Sequence, residues 1–157
     1  MSIEITLDEY FGSYSADPSA TPAIRAAAAT MLAKVNDLYQ CAARDGCKLP
    51  KNPATKSGVS GNGHGGYRPP DCSVGAANSR HKDGRAVDRY DPDREFAAWC
   101  LAHPDELRKR GLYMEDPRWT PSWVHLQDLP PGSGRLVYVP SMSPALAAAP
   151  AAWETFA

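Results

Sequence analysis

Residues 48–80 read KLPKNPATKSGVSGNGHGGYRPPDCSVGAANSR and are dense in glycine, proline, asparagine and serine. The stretch has too little apolar periodicity for a long element, although short strands would fit near 58–59 and 67–68. A loop of this length inside a compact domain is unusual, and such loops are usually either functional or disordered. The regular elements are therefore expected on either side of it.

A long helix is predicted directly before this loop. Thr21 and Pro22 supply an N-cap and a first-turn proline, and Asp45-Gly46 ends the pattern. Between these ends, apolar side chains recur at helical spacing: Ile24, Ala27, Ala28, Met31, Leu32, Val35, Leu38 and Tyr39. Residues 1–20 begin with alternating apolar positions and continue with glycine, proline and serine, which predicts an N-terminal arm with a short strand or extended segment.

A second helix and two strands are predicted after the loop. Asp91 and Pro92 open the helix, and Pro104 begins a further short turn. Residues 123–126 and 135–139 are rich in β-branched and aromatic side chains, which predicts two strands joined by a proline-rich turn.

The order of these elements predicts an α+β fold. A single small domain, with a short antiparallel sheet flanked by helices, is expected over residues 21–140. Residues 141–157 are rich in alanine and proline and are expected to form a C-terminal tail. At 157 residues the chain is long enough to bury a hydrophobic core without covalent cross-links.

Charge and composition exclude several classes of protein. Lysine plus arginine (17) nearly balance aspartate plus glutamate (18), for a formal net charge of −1, so nucleic-acid binding is not expected. Hydrophobic residues make up 43% and charged residues 22%, which is typical of a globular protein and unlike a disordered one. The four cysteines form no CxxC pair, which favours free thiols over a Cys41–Cys47 disulfide.

The N-terminus and the apolar runs bear on where the protein acts. MSIEITLDEY has acidic residues where a secretory signal has positive charge followed by an apolar run. The longest apolar run, near Arg25, falls short of the roughly 20 residues of a membrane span. We therefore expect synthesis in the cytoplasm without a signal peptide, and no insertion into a membrane.

Three residues in the second half of the chain form a candidate metal site. His81 and Asp88 are seven residues apart, Gly84 allows a sharp turn between them, and residues 86–88 form a plausible strand. His125 lies in another predicted strand. Taken singly, each residue also fits an ordinary turn or core position. Together, two histidines and one aspartate leave a fourth position open for water, which is the layout of a catalytic zinc site.

The sequence around this set resembles that of the zinc D-alanyl-D-alanine metallopeptidase family. Residues 79–88 read SRHKDGRAVD and fill each signature position of the family's SxHxxGxAxD motif. Residues 66–70, GYRPP, are similar to its SGYRP segment, with Gly65 in place of the serine. Residues 123–125, WVH, are similar to its closing WxH element. The resemblance covers roughly residues 21–140.

The resemblance implies a role for each matching residue. His81, Asp88 and His125 would bind zinc. Arg68 would stabilise the oxyanion of the tetrahedral intermediate or hold the substrate carbonyl. Ser79 would bind the substrate backbone or carboxylate. The implied reaction is hydrolysis, in which zinc lowers the pKa of bound water toward about 7 and polarises the scissile carbonyl.

One position departs from the family pattern. Many members place an acidic general base three residues before the last histidine, where this chain has Ser122, which cannot accept a proton from water near neutral pH. Glu115 and Asp116 are the nearest preceding acids, and one of them is predicted to act as the base. Glu115 is slightly favoured, because Asp116 directly precedes Pro117 and is also placed to brace the turn. The remaining candidates are interpreted as loop or helix-terminal residues: His64, His103 and Asp128.

These features predict a zinc peptidase that hydrolyses peptidoglycan stem peptides, of the D,D-carboxypeptidase or L-alanyl-D-glutamate endopeptidase type. The expected absence of a signal peptide favours a phage or prophage lysis enzyme that reaches the cell wall after holin-type release or as a virion component. The stem peptide is the expected partner, and the chain is expected to be a monomer.

Three alternatives remain open. A cytoplasmic dipeptidase would use the same site. A catalytically silent zinc-binding module of the same fold, for example a virion structural or cell-wall-binding component, is favoured by Ser122. An iron oxygenase with two histidines and one carboxylate is disfavoured, because that class favours an HxD spacing within a barrel.

Overall fold

The structure, a computed structural model, describes residues 2–140, so the predicted tail 141–157 lies outside the described residues. The helices are α1 (Leu7–Phe11), α2 (Pro22–Arg44), α3 (Glu95–Ala102) and α4 (Pro104–Arg108). The strands are β1 (Ala86–Tyr90), β2 (Tyr113–Glu115), β3 (Trp123–Gln127) and β4 (Val137–Tyr138). Helices beside one small sheet confirm the predicted α+β class.

The four strands form one sheet in the order β1-β3-β2-β4. β3 pairs antiparallel with both β1 and β2, whereas β2 and β4 pair in parallel. The sheet is therefore mixed and not purely antiparallel as predicted, and β2 separates the two predicted strands, β3 and β4. β2 has only three residues, too few to show an alternating pattern in the sequence.

Helix α2 confirms the long helix predicted before the glycine-rich loop. The hydroxyl of Thr21 accepts a hydrogen bond from the backbone N–H of Ile24, and Pro22 occupies the first turn. The helix ends at Arg44, directly before Asp45-Gly46. Its apolar face is buried from the second turn onward: Ala28, Met31, Leu32, Val35, Leu38, Tyr39 and Ala42.

The N-terminal segment differs from its prediction. Residues 7–11 form a helix rather than a strand, because Thr6 and Glu9 make a reciprocal capping box that satisfies two backbone N–H groups at the helix start. Ile5, Tyr10 and Phe11 are buried in the hydrophobic core. The segment predicted as an arm thus contributes side chains to the core of the domain.

The segments after β1 follow the predicted order with shifted boundaries. The Asp91 carboxylate accepts hydrogen bonds from the backbone N–H groups of Phe96 and Ala97, so α3 begins at Glu95. Cys41, Cys47, Cys72 and Cys100 are free thiols, as predicted. Among the described residues, no helix combines the length and apolarity needed to cross a membrane.

The glycine-rich loop contains no helix or named strand, yet it is attached to the outer edge of β1. The N–H of Ser60 donates to the Asp88 carbonyl, and the N–H of Asp88 donates to the Gly65 carbonyl, each at 2.8 Å. Of the two short strands predicted here, Val59 makes a single bridge to Arg89. The loop therefore covers the strand that contains the central residue of the candidate site.

Candidate metal centre

Three separate elements position the predicted metal ligands. Asp88 is in the middle of β1, and His125 is its direct cross-strand partner on β3. His81 lies in a short 3₁₀ turn, Arg80–Asp83, that precedes β1. Gly84 ends this turn with φ +72°, and a Cβ atom there would lie 2.7 Å from the backbone oxygen of Ile24. A tight glycine turn thus folds His81 back over the strand pair.

The three inward-facing ligand atoms lie close together and are buried. His125 Nδ1 is 2.9 Å from Asp88 Oδ1, and His81 Nε2 is 3.3 Å from each of these two atoms. Ligands bound at about 2.0–2.1 Å to a tetrahedral zinc ion lie about 3.3 Å from one another. The triangle therefore has the dimensions of one face of a tetrahedral metal site.

The backbone fixes the tautomer of His81. Its Nδ1 lies 2.7 Å from the carbonyl oxygen of Gly66. A carbonyl oxygen can only accept, so Nδ1 carries the proton and Nε2 presents a lone pair to the other two ligands.

Gln127 fixes the tautomer of His125 in the same way. Its amide nitrogen donates to the Leu129 carbonyl at 2.8 Å, and its Oε1 accepts from the Tyr138 hydroxyl at 2.7 Å. That oxygen lies 2.9 Å from His125 Nε2, which therefore donates to it. His125 Nδ1 is left with a lone pair directed at Asp88 and His81. Outer partners of this kind orient metal-bound histidines in proteins.

When both imidazoles are neutral, the three converging atoms are all acceptors, an arrangement that a cation stabilises. In the metal-free protein, a proton on His125 Nδ1 donates to Asp88 Oδ1 at 2.9 Å, and a metal ion would replace that proton. Burial and mutual contact shift the pKa values of all three side chains. Burial lowers the pKa of His81. Burial alone would raise the pKa of Asp88, but the two imidazoles together hold it well below its usual range. Burial would lower the pKa of His125, but the Asp88 carboxylate raises it. Asp88 therefore remains a carboxylate, able to ligate a metal.

Arg68 lies against the ligand carboxylate. Its Nη2 donates to Asp88 Oδ2 at 3.4 Å, and its Nε donates to the His64 carbonyl at 2.7 Å. The side chain is 9% exposed and packs over Gly75, where a Cβ atom would lie 2.3 Å from Nη1. Arg68 therefore contacts the glycine-rich loop as well as the ligand Asp88.

A cleft of about 290 Å³ opens over the metal set. Arg68, Ser79 and Glu115, all predicted from the sequence, line it. Ser79 also accepts a hydrogen bond from the backbone N–H of His81, which fixes the turn. Burial raises the pKa of Glu115, and the nearby His125 opposes that effect.

Glu115 and Asp116, the two acids predicted as candidate bases, have different environments in the structure. Both carboxylate oxygens of Asp116 are paired with Arg118, and its side chain also caps the turn Pro117–Trp119. Asp116 is buried and does not line the cleft. The candidate role of Asp116 as base is corrected to a turn-bracing role, which leaves Glu115.

Two cleft residues were missed at the sequence level. Gln127 lies two residues after His125, so the alternation of a strand places both on one face. That signal was present in WVHLQ. Tyr138 reaches the cleft from β4, through a parallel pairing with β2 that no local pattern indicates.

The other titratable candidates lie away from the metal set. His64 Nε2 is 3.3 Å from the Tyr14 hydroxyl, and His103 stacks on Trp99 at the end of α3. Asp128, interpreted as a solvated loop residue, is instead buried beside Arg85. Among the described residues, His81, Asp88 and His125 are the one group of this kind with metal-ligand spacing.

Comparison of the chain with protein-family models, with curated proteins and with solved structures finds no match.

Proposed function

We propose that this protein is a zinc-dependent peptidase that hydrolyses peptidoglycan stem peptides. The observation that supports it most is the convergence of three buried acceptor atoms, with both histidine tautomers fixed from outside. These three buried side chains have the spacing of metal ligands and lie beside an open cleft, a combination that suits a bound cation accessible to substrate.

The donor set fits zinc, and because two histidines and one carboxylate also bind iron(II), the choice of zinc rests on the motif resemblance as well. Two imidazole nitrogens and one carboxylate oxygen, at tetrahedral spacing and beside an open cleft, are typical of catalytic zinc sites. A bound zinc ion would lower the pKa of its water and polarise the scissile carbonyl.

Two side chains of the cleft supply the remaining chemistry. Glu115 accepts the proton of the attacking water and then donates it to the leaving amine, a task for which its raised pKa is suited. Arg68 presents a fixed positive charge toward the oxygen on which negative charge develops. Ser79, at the rim of the cleft, binds the substrate backbone or its carboxylate.

The substrate class rests on the resemblance of residues 66–70, 79–88 and 123–125 to zinc D-alanyl-D-alanine metallopeptidases. Either D,D-carboxypeptidase or L-alanyl-D-glutamate endopeptidase activity fits these motifs. In the proposed setting, a monomeric phage or prophage lysis enzyme acts on the cell wall after holin-type release or as a virion component.

Metal analysis and product identification test the proposal together. The purified protein should hold one zinc per chain and release defined fragments from purified peptidoglycan, identified by mass. The Asp88→Asn variant should lose both zinc and activity. Iron in place of zinc, or no hydrolysis by the zinc-loaded protein, would contradict the proposal.

A silent zinc-binding module is the second candidate, and Ser122 favours it. This residue stands where many members of the resembled family have their base, and it is exposed and outside the cleft. Zinc retention without cleavage of any stem peptide would identify this case.

A further inference from the structure

A single peptide group connects the metal ligand His81 with helix α1. The carbonyl oxygen of Gly66 accepts the proton of His81 Nδ1 at 2.7 Å. The N–H of the same peptide group, on Tyr67, donates to the carbonyl oxygen of Tyr10 at 3.1 Å. The peptide bond is trans, so its carbonyl and its N–H point in opposite directions. The peptide group therefore lies between the His81 ring on one side and α1 on the other.

The close approach of α1 requires the glycine at position 66. Tyr10 lies in the last turn of α1, where the carbonyl oxygens of a helix accept hydrogen bonds from other segments. A Cβ atom on Gly66 would lie 2.0 Å from the Tyr10 carbonyl oxygen. Only glycine therefore lets this peptide group reach Tyr10 and His81 together.

Further side chains of the N-terminal segment hold Tyr67. Its ring packs on that of Phe11, with the ring centroids 5.3 Å apart, and both rings are buried. Its hydroxyl forms a 2.7 Å hydrogen bond with the Ser19 hydroxyl. The next N–H along the chain, on Arg68, donates to the His81 carbonyl oxygen at 3.3 Å. The chain around Tyr67 thus contacts the N-terminal segment on one side and His81 on the other.

These contacts affect the atom of His81 that faces the other metal ligands. A peptide group whose N–H donates a hydrogen bond is polarised, so its oxygen becomes a stronger acceptor. A stronger acceptor for the Nδ1 proton orients the imidazole ring and makes Nε2 more basic. His81 Nε2 is the atom that lies 3.3 Å from Asp88 Oδ1 and His125 Nδ1. Helix α1 therefore acts on the metal site from outside the cleft.

We propose that α1 is a positioning element for the metal ligand His81 and acts through the peptide group between Gly66 and Tyr67. Residues 1–20 lie outside the part of the chain that resembles the zinc metallopeptidases, yet they support the outer contact of this ligand. The inference rests on the proposed function, because it takes His81 as a zinc ligand. Loosening α1 then lowers zinc affinity while the protein remains folded.

Zinc affinity, measured by competition with a chromogenic chelator, tests this role. Gly66→Ala should lower it about 10- to 100-fold, the usual cost of losing an outer partner of a metal-bound histidine. Gly58→Ala is the control in the same loop, because its Cβ atom would lie 2.1 Å from Arg89 Nη1. It should lower thermal stability and leave zinc affinity at the wild-type value. Wild-type zinc affinity in Gly66→Ala would overturn the inference.

Two buried phenylalanines separate positioning from general stability, also if Gly66→Ala does not fold. Phe11→Leu loosens the contact between α1 and Tyr67, whereas Phe96→Leu loosens the contact between α3 and Tyr39. Both variants remove part of a buried ring, so both should lower the melting temperature. Only Phe11→Leu should also lower zinc affinity. Equal zinc affinities in the two variants would contradict the role of α1.

The proton on His81 Nδ1 provides a spectroscopic test in the zinc-loaded protein. Its NMR signal should be protected from exchange with solvent in the wild type, because the Gly66 oxygen accepts this proton. The signal should shift or broaden in Gly66→Ala and stay in place in Gly58→Ala, since a general loss of stability does not move it. An unchanged signal in Gly66→Ala would overturn the inference even if zinc affinity falls.

None of these measurements needs turnover, so the inference and the proposed function can fail separately. A protein that binds zinc, cleaves no stem peptide and loses zinc affinity in Gly66→Ala and Phe11→Leu supports the role of α1 and contradicts the peptidase. Hydrolysis by a protein whose zinc affinity is unchanged in both variants supports the peptidase and overturns the role of α1.

Discussion

At the scale of single residues, the outer partner of His125 decides which atom faces the metal. Gln127 Oε1 accepts from His125 Nε2 at 2.9 Å and is itself held by Tyr138. We expect Gln127→Leu to lower zinc affinity about 10- to 100-fold, the usual cost of losing such a partner. Gln127→Glu keeps an acceptor at the same place and is the control. Competition with a chromogenic chelator measures both, and unchanged affinity in the leucine variant would contradict the assigned tautomer.

Glu115 is expected to act on chemistry and not on metal binding. Glu115→Gln should keep zinc and abolish hydrolysis, because an amide cannot accept the proton. The control is Asp116→Asn, which removes the charge paired with Arg118 and should lower thermal stability while hydrolysis persists. Hydrolysis by Glu115→Gln at the wild-type rate would show that the base lies elsewhere.

Glu115→Gln should also change the melting temperature of the metal-free protein, and the pKa of Glu115 gives the sign of that change. Burial raises the pKa of Glu115 in the folded protein, so the folded state binds the carboxyl proton more tightly than the unfolded state. The free energy of unfolding therefore falls as the pH rises from the unfolded to the folded pKa of Glu115. Metal-free Glu115→Gln should therefore melt at a higher temperature than the wild type at neutral pH. The difference should vanish below about pH 4, where the unfolded carboxyl is also protonated. Melting curves at several pH values measure it.

Arg68 is expected to act mainly by stabilising the transition state and not by binding the metal. Arg68→Ala is expected to retain zinc and to lose about 10²- to 10³-fold in kcat, the scale for removing a group that stabilises an oxyanion. It should also lower the melting temperature, because the buried guanidinium bonds the His64 carbonyl and Asp88. Arg68→Lys retains the charge without the fork and should fall between the two. Turnover within twofold of the wild type would exclude this role.

At the scale of elements, the sequence predicts those parts whose signals are local. Helix α2 has a cap, a periodic apolar face and a stop, and all three act within its own residues. The metal ligands were predictable because residues 79–88 and 123–125 form two recognisable short motifs, the first of which includes the glycine turn between His81 and Asp88. β2 and its parallel pairing with β4 were not, because their register depends on contacts between distant residues. The N-terminal segment predicted a strand because Ile3, Ile5 and Leu7 alternate, whereas the Thr6–Glu9 capping box starts a helix at Leu7.

The glycine turn before β1 can be tested as an element. Gly84→Ala must adopt φ +72° and place a Cβ atom 2.7 Å from the Ile24 carbonyl oxygen, so we expect a loss of about 2–4 kcal/mol and weaker zinc binding as His81 moves. Gly111→Ala is the matched control, with φ +68° and open space around the new methyl group. It should lose about 1 kcal/mol, from backbone strain alone. Denaturant unfolding and zinc titration report the two effects, and equal losses would contradict the close approach.

At the scale of the whole molecule, the long loop and the N-terminus are joined to the sheet through β1. Arg89 is fully buried and donates to the carbonyl oxygens of Ile3 and Leu49, and its guanidinium lies over the Tyr39 ring. Gly58 is needed beside it, since a Cβ atom there would lie 2.1 Å from Arg89 Nη1. Composition indicated a loop that is either functional or disordered, because these bonds are single and long-range. Residues of this loop line part of the cleft over the metal ligands.

A metal ion bound by His81, Asp88 and His125 would connect the turn, β1 and β3, so it should stabilise the fold as a whole. Zinc at 1,000 times its Kd adds about 4.1 kcal/mol, which for a chain of this size raises the melting temperature by about 8–16 °C. The gain should shrink as the pH falls, and the decline should begin above the ordinary histidine pKa of about 6.5, because protons compete with zinc for His125 and Asp88 raises its pKa. Melting curves with zinc and with chelator, across pH 5–8, measure this. Asp88→Asn should show no zinc-dependent shift, and a shift of equal size in that variant would place the metal elsewhere.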